Sequence, residues 1–174
     1  KVMVEVSHAP DIICIQEAIA ESIDLPLQDV KTVAQRSVRL YNRLMLEKEK
    51  EKEKEKKVLI ILDNIWKKLD LSEIGIPSTC KLLLTTRDQD VCRGMDVHNV
   101  NMFKVDPMDT NEARMLFRSR GGSQVDVPQY KNVVYRLLMK CGGLPLTIVT
   151  IATSLKDKDL RSWEKFADDL EKLF

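Results

Sequence analysis

Five consecutive apolar residues, Val58 to Leu62, run straight into Asp63 and Asn64 in the stretch KVLIILDNIW. A run of strand length, rich in β-branched side chains, suits a strand buried on both faces of a parallel sheet. KLLLTTR (81–87) is a second run of that kind and NMFKV (101–105) a weaker third. KVMVEV at the start alternates Val2, Val4 and Val6 with period two, as a strand does. Helical or loop patterns separate these runs. Strands alternating with helices predict a doubly wound α/β domain, with a parallel sheet built from 2–6, 58–62, 81–85 and 101–105.

Between the strands the period changes. Ile12, Ile15, Ile19 and Ile23 recur at helical spacing behind Pro10-Asp11, and Leu25-Pro26 ends that helix. A second helix is predicted with Leu27, Val30, Val33, Ala34, Val38, Tyr41, Leu44 and Met45 on one side. It runs into EKEKEKEKEKK (47–57), a low-complexity segment with no apolar residue. Its like charges fall at i,i+4 and its opposite charges at i,i+3, so it predicts a solvated helix extension or a charged linker.

Beyond Pro107 no strand pattern remains. Asp109 with Glu112 reads as a helix cap before Ala113, Leu116 and Phe117. Val127-Pro128 starts another helix that runs to Cys141, where Gly142-Gly143 stops it. Pro145 suits the first turn of a buried helix, LPLTIVTIATSL, which is too short to span a bilayer. Asp159 opens a last amphipathic helix with Leu160, Trp163, Phe166, Leu170 and Leu173. The predicted organisation is an α/β subdomain over 1–106, with the charged linker at 47–57, and an all-helical subdomain over 107–174.

Composition excludes several function classes. The 174 residues carry 28 basic and 27 acidic side chains, so no net field favours nucleic acid or an anionic membrane. Cys14, Cys80, Cys92 and Cys141 lie far apart, and with only two histidines they form no zinc-ligand pattern. They read as reduced thiols of a cytosolic or nuclear protein. The chain opens on Lys1 in what reads as the middle of a fold, which predicts that a longer protein has been cut here.

Three stretches carry candidate chemistry. An open parallel sheet binds ligands at the carboxyl ends of its strands, where Asp63 places a carboxylate able to hold a Mg²⁺–phosphate complex. Taken alone, an aspartate that ends a strand is more often a turn former or a helix cap. Arg87, behind Thr85-Thr86, could read a phosphate through its charged fork, or could be a structural ion pair or a surface arginine. Gly142-Gly143-Leu144-Pro145-Leu146 stops one helix and starts the next, and its rigid proline could also pack on a planar ligand such as adenine.

Taken together, ILDNIW, KLLLTTRD and CGGLPLTIVTIA resemble the kinase-2, TTR and GLPL motifs of the NB-ARC nucleotide-binding domain of plant disease-resistance proteins, in the same order. VMVEVSHAPDIICIQEAIAESIDL and LKDKDLRSWEKFADDL also look like the coiled-coil, leucine-rich-repeat class of that family. The resemblance implies a partial P-loop NTPase-like sheet followed by a small helical subdomain. It implies a switch in plant defence that holds ADP at rest and ATP when active, at most a weak ATPase. Asp63 would coordinate Mg²⁺, Thr86 and Arg87 would meet phosphate, and Leu144 and Pro145 would lie near the adenine. Partners beyond nucleotide would be other domains or full-length immune receptors. The alternative is an interaction module or decoy fragment that docks on a full-length receptor without binding nucleotide.

The sequence departs from the family pattern in two places that bear on chemistry. No GxxxxGK[ST] phosphate loop occurs within residues 1–174. Its backbone amides and lysine hold phosphates, so nucleotide binding by these residues is expected to be impaired. The second acidic position after the strand is Asn64, and an amide cannot act as a general base.

Overall fold

The computed structural model describes residues 1–50 and 58–173. They divide into two units, Lys1–Phe103 and Lys104–Phe174.

The first unit is built on three parallel strands, β1 (Val2–Glu5), β2 (Leu59–Ile65) and β3 (Lys81–Thr86), in the order β1-β2-β3. Helices α1 (Ile12–Ser22) and α2 (Val33–Lys50) connect β1 to the β2 segment. The short α3 (Leu71–Ile74) lies between β2 and β3, and α4 (Gln89–Gly94) follows β3. Val2 and Val4 of β1, Ile60 and Leu62 of β2, Ile19 of α1 and Leu40 of α2 share one buried core. The apolar run of β2 has the expected consequence: Ile60 and Leu62 are buried on one face and Ile61 on the other. The reading of 51–57 as charged linker lies outside the described residues, while residues 47–50 continue α2.

Three expectations are corrected. Residues 101–105 form no strand. Asn99–Asn101 is a single 3₁₀ turn, and Phe103 and Val105 are 85% and 92% exposed, without a partner strand among the described residues. Strand β3 is not buried on both faces. It lies at the sheet edge and alternates, with Leu82 and Leu84 partly covered and Leu83 exposed. The second helix begins at Val33 instead of Leu27, and its covered side is phased differently: Leu40 and Leu44 are buried, whereas Val38 and Tyr41 are exposed. Leu27 and Val30 are buried in the turn ahead of the helix, so their apolar character extends the pattern without extending the helix.

Buried Gln16 ties the helices of this unit together. Its Nε2 donates to the carbonyls of Val33 (3.1 Å), Glu73 (3.0 Å) and Ile74 (3.3 Å), which lie at the start of α2 and in α3. These carbonyls would otherwise lose a partner inside the fold.

The second unit is helical: α5 (Thr110–Gly121), α6 (Lys131–Cys141), α7 (Pro145–Leu155) and α8 (Leu160–Leu173). Asp109 and Glu112 form the predicted capping box at the head of α5. Trp163 is fully buried, with the Phe117 and Tyr130 rings packed edge-on at 5.8 and 5.2 Å. Arg136 of α6 donates to Asp168 (2.6 Å) and to both carboxylate oxygens of Glu171 (2.9 and 2.8 Å), which fixes α8 to α6. No helix among the described residues is long and apolar enough to cross a membrane.

Candidate functional site

The carboxyl ends of β2 and β3 do not stay in simple register. Leu62 pairs with Leu84, but the next pair is Ile65 with Thr86. Asp63 and Asn64 therefore face the single Thr85, the arrangement of a β-bulge. Asn64 takes a left-handed backbone, φ 62°, which asparagine tolerates better than most residues.

The bulge creates a short relay. The Asn64 N–H donates to Thr85 Oγ1 at 2.9 Å, and the Thr85 hydroxyl donates to Asp63 Oδ1 at 2.5 Å. On the other side the Asp63 carbonyl accepts from the Val6 N–H at 2.8 Å, and Glu5 stands beside Asp63 in the β1–β2 register. The strand end is thus fixed from both neighbours, and among the described residues no donor reaches Asp63 Oδ2.

Glu5, Asp63, Asn64, Thr85, Thr86 and Arg87 line one open depression of about 380 Å³. Asp63, Asn64, Thr86 and Arg87, singled out in the sequence, are therefore brought together. Thr86 Oγ1 accepts from the Asp88 N–H at 3.1 Å, and Asp88 in turn caps α4. Arg87 forms no ion pair among the described residues, and its guanidinium carbon lies 5.3 Å from the centre of the Trp66 indole.

Leu144 and Pro145 belong to the second unit. Gly142 and Gly143 both have left-handed backbones that end α6, and Leu144 and Pro145 then start α7. Gly143 accepts from the Met108 N–H at 2.9 Å, so close that a Cβ there would meet Met108 O at 2.4 Å. Pro145 is exposed, as are Leu144 at 55% and Leu146 at 79%. The turn is held from within the unit and leaves an apolar step on its surface.

The donor set bears on metal binding. Among the described residues no group of three or more His, Cys, Asp or Glu side chains could hold a metal ion. Mg²⁺, however, characteristically uses one or two carboxylates and completes its shell with water and phosphate. Asp63, with Glu5 next to it, fits that requirement. The four cysteines are free, and burial pushes the Cys141 thiol up to about 11, out of the range of a reactive thiolate.

Sequence reasoning passed over Glu5, Thr85 and Trp66. Thr85 stands inside the quoted TTR stretch, but its role depends on a bulge that period-two patterning does not reveal. Glu5 was visible only as the polar partner in an alternating strand.

Comparison with known proteins agrees with this architecture. Residues 1–126 match the NB-ARC domain model. The chain is 32% identical over 164 residues to disease resistance protein At4g27190 of Arabidopsis thaliana, covering 91% of this chain and 16% of that protein. It is 31% identical over 182 residues to disease resistance protein SUMM2 (97% and 19%), and 30% identical over 162 residues to disease resistance protein RFL1 (86% and 17%), both of the same plant. The chain belongs to the NB-ARC family of nucleotide-binding domains and spans less than a fifth of the length of these relatives.

Proposed function

We propose that residues 1–174 are the nucleotide-reading part of a plant immune receptor, an ADP/ATP switch in defence signalling. The observation that carries this reading is that Asp63 and Arg87, from neighbouring parallel strands, line one depression at the carboxyl edge of the sheet. Ligands of open parallel sheets bind at that edge. Asp63, assisted by Glu5, holds Mg²⁺, which neutralises phosphate charge when bound. Arg87 reads the terminal phosphate, with Thr86 beside it. By resemblance to the GLPL motif, Leu144 and Pro145 would lie near the adenine. The helical residues 107–174 serve as the subdomain that responds to nucleotide state, and 1–106 as the one that holds phosphate.

Binding by these residues alone is weak, because no glycine-rich loop within them cradles the phosphates. Turnover is slow at most: Asn64 stands where an acid would order the attacking water, and its side-chain amide cannot act as a general base. The protein acts as a switch in the cytoplasm, with nucleotide and other parts of immune receptors as partners.

Saturation-transfer NMR with ADP and ATP, with and without Mg²⁺, tests the reading. The expected result is Mg²⁺-dependent transfer to both nucleotides that is much reduced in Arg87→Ala. Transfer that ignores both Mg²⁺ and Arg87 would place the ligand elsewhere. A folded chain that takes up neither nucleotide would favour the docking-module alternative.

A further inference from the structure

Each of the three parallel strands sends one further side chain to the same place beyond its carboxyl end. His8 follows β1, Trp66 follows β2 and Arg87 follows β3. The indole is central. The His8 ring lies 4.6 Å from it at a tilt of 53°, and the Arg87 guanidinium carbon lies over it at 5.3 Å. Trp66 remains 38% exposed and takes no part in the apolar core of its unit, so burial alone does not account for a tryptophan here. Arg87 has no carboxylate partner among the described residues although Asp63 and Glu5 line the same depression.

We propose that Trp66 is a positioning residue for the phosphate-reading arginine: its indole face holds the Arg87 guanidinium at the mouth of the depression. The chemistry suits that task. A carboxylate partner would neutralise the guanidinium and occupy its N–H donors. A cation–π contact steadies the group while leaving its charge and its donor fork for phosphate oxygens. His8 packs against the same indole and limits the directions in which the ring can swing. The inference rests on the proposed phosphate role of Arg87.

Two measurements on the whole chain separate the inference from the reading beneath it. The first uses no ligand. The chain has two tryptophans, and Trp163 lies in the other unit, so Trp66→Phe assigns the Trp66 indole N–H resonance and Trp163 serves as internal control. Arg87→Ala is expected to shift the Trp66 resonance and leave that of Trp163 in place. The second is a double-mutant cycle on affinity for inorganic pyrophosphate with Mg²⁺. Trp66→Leu is expected to weaken binding about three- to fivefold when Arg87 is present, and not at all in the Arg87→Ala background. Trp66→Phe, which keeps an aromatic face, should fall between. If Arg87→Ala weakens binding but Trp66→Leu does not, or weakens it equally in both backgrounds, the positioning role is overturned and the phosphate reading stands. If neither substitution weakens binding, the phosphate reading fails and the positioning role falls with it, whatever the indole resonance shows.

Discussion

The hydroxyl of Thr85 donates to Asp63 Oδ1 across 2.5 Å, joining the carboxyl ends of two parallel strands where a bulge has opened their ladder. Both residues are at least partly open to solvent, so water can replace the bond when either is removed. Asp63→Ala and Thr85→Val are therefore expected to cost no more than about 1.5 kcal/mol each in urea unfolding without ligand. A loss above roughly 3 kcal/mol would make this carboxylate a structural group. With Mg-ADP present the two should separate, because only Asp63→Ala removes the charge that faces the cation.

Gly142 and Gly143 differ although both have left-handed backbones. A Cβ at Gly142 meets nothing within 4 Å, whereas at Gly143 it would strike the Met108 backbone. Gly142→Ala is expected to cost about 1 kcal/mol, from backbone conformation alone. Gly143→Ala should cost more than about 2 kcal/mol, since the Met108 segment must also give way. Unfolding followed by Trp163 fluorescence in a Trp66→Phe background reads the second unit directly, and equal losses would contradict the described turn.

Gln16 is a buried amide whose Nε2 reaches three carbonyls of two other helical segments. Its removal takes the donor from the buried Ile74 carbonyl and from the part-buried Val33 and Glu73 carbonyls. Gln16→Ala should lose about 2–3 kcal/mol in chemical denaturation. Gln16→Glu should lose more, because it buries a charge and removes the donor. A stable Gln16→Glu chain would show that this amide is not where the helices are joined.

The hydrogen bonds from Arg136 hold the Glu171 carboxyl below its ordinary value. A depressed folded value means that the unfolded chain takes up the proton first as pH falls. The contribution is therefore fully present above the ordinary glutamate range, about pH 4.3, and is lost as pH falls through the lower folded value. Acid unfolding of the second unit should show this dependence, and Glu171→Gln should remove its share. An unchanged acid limb in Glu171→Gln would exclude the pair as its source.

How much of this was legible in the sequence follows from the kind of signal each feature leaves. The run at 58–62 had few alternatives to a central strand, and Asp109 with Glu112 declared a helix cap three residues apart. Asp63, near the end of β2, and Arg87, just after β3, could be placed on one edge because parallel strands share their carboxyl ends. The run at 101–105 misled because an apolar alternation is half of a strand; the other half is a neighbour to pair with. Val38 and Tyr41 misled because α2 has apolar residues on more than one side, and period alone does not say which side meets the sheet. Thr85 and Trp66 were out of reach, since a bulge and a ring contact between strand ends leave no periodic trace.

Calorimetric titration of this chain with Mg-ADP, alongside Asp63→Ala and Arg87→Ala, tests the central claim most directly. The account predicts weak binding, with Kd on the order of 0.1–1 mM, about −4 to −5.5 kcal/mol, that weakens several-fold in either variant. Binding that survives both substitutions unchanged, or its complete absence from the folded wild-type chain, would contradict a phosphate site built on Asp63 and Arg87.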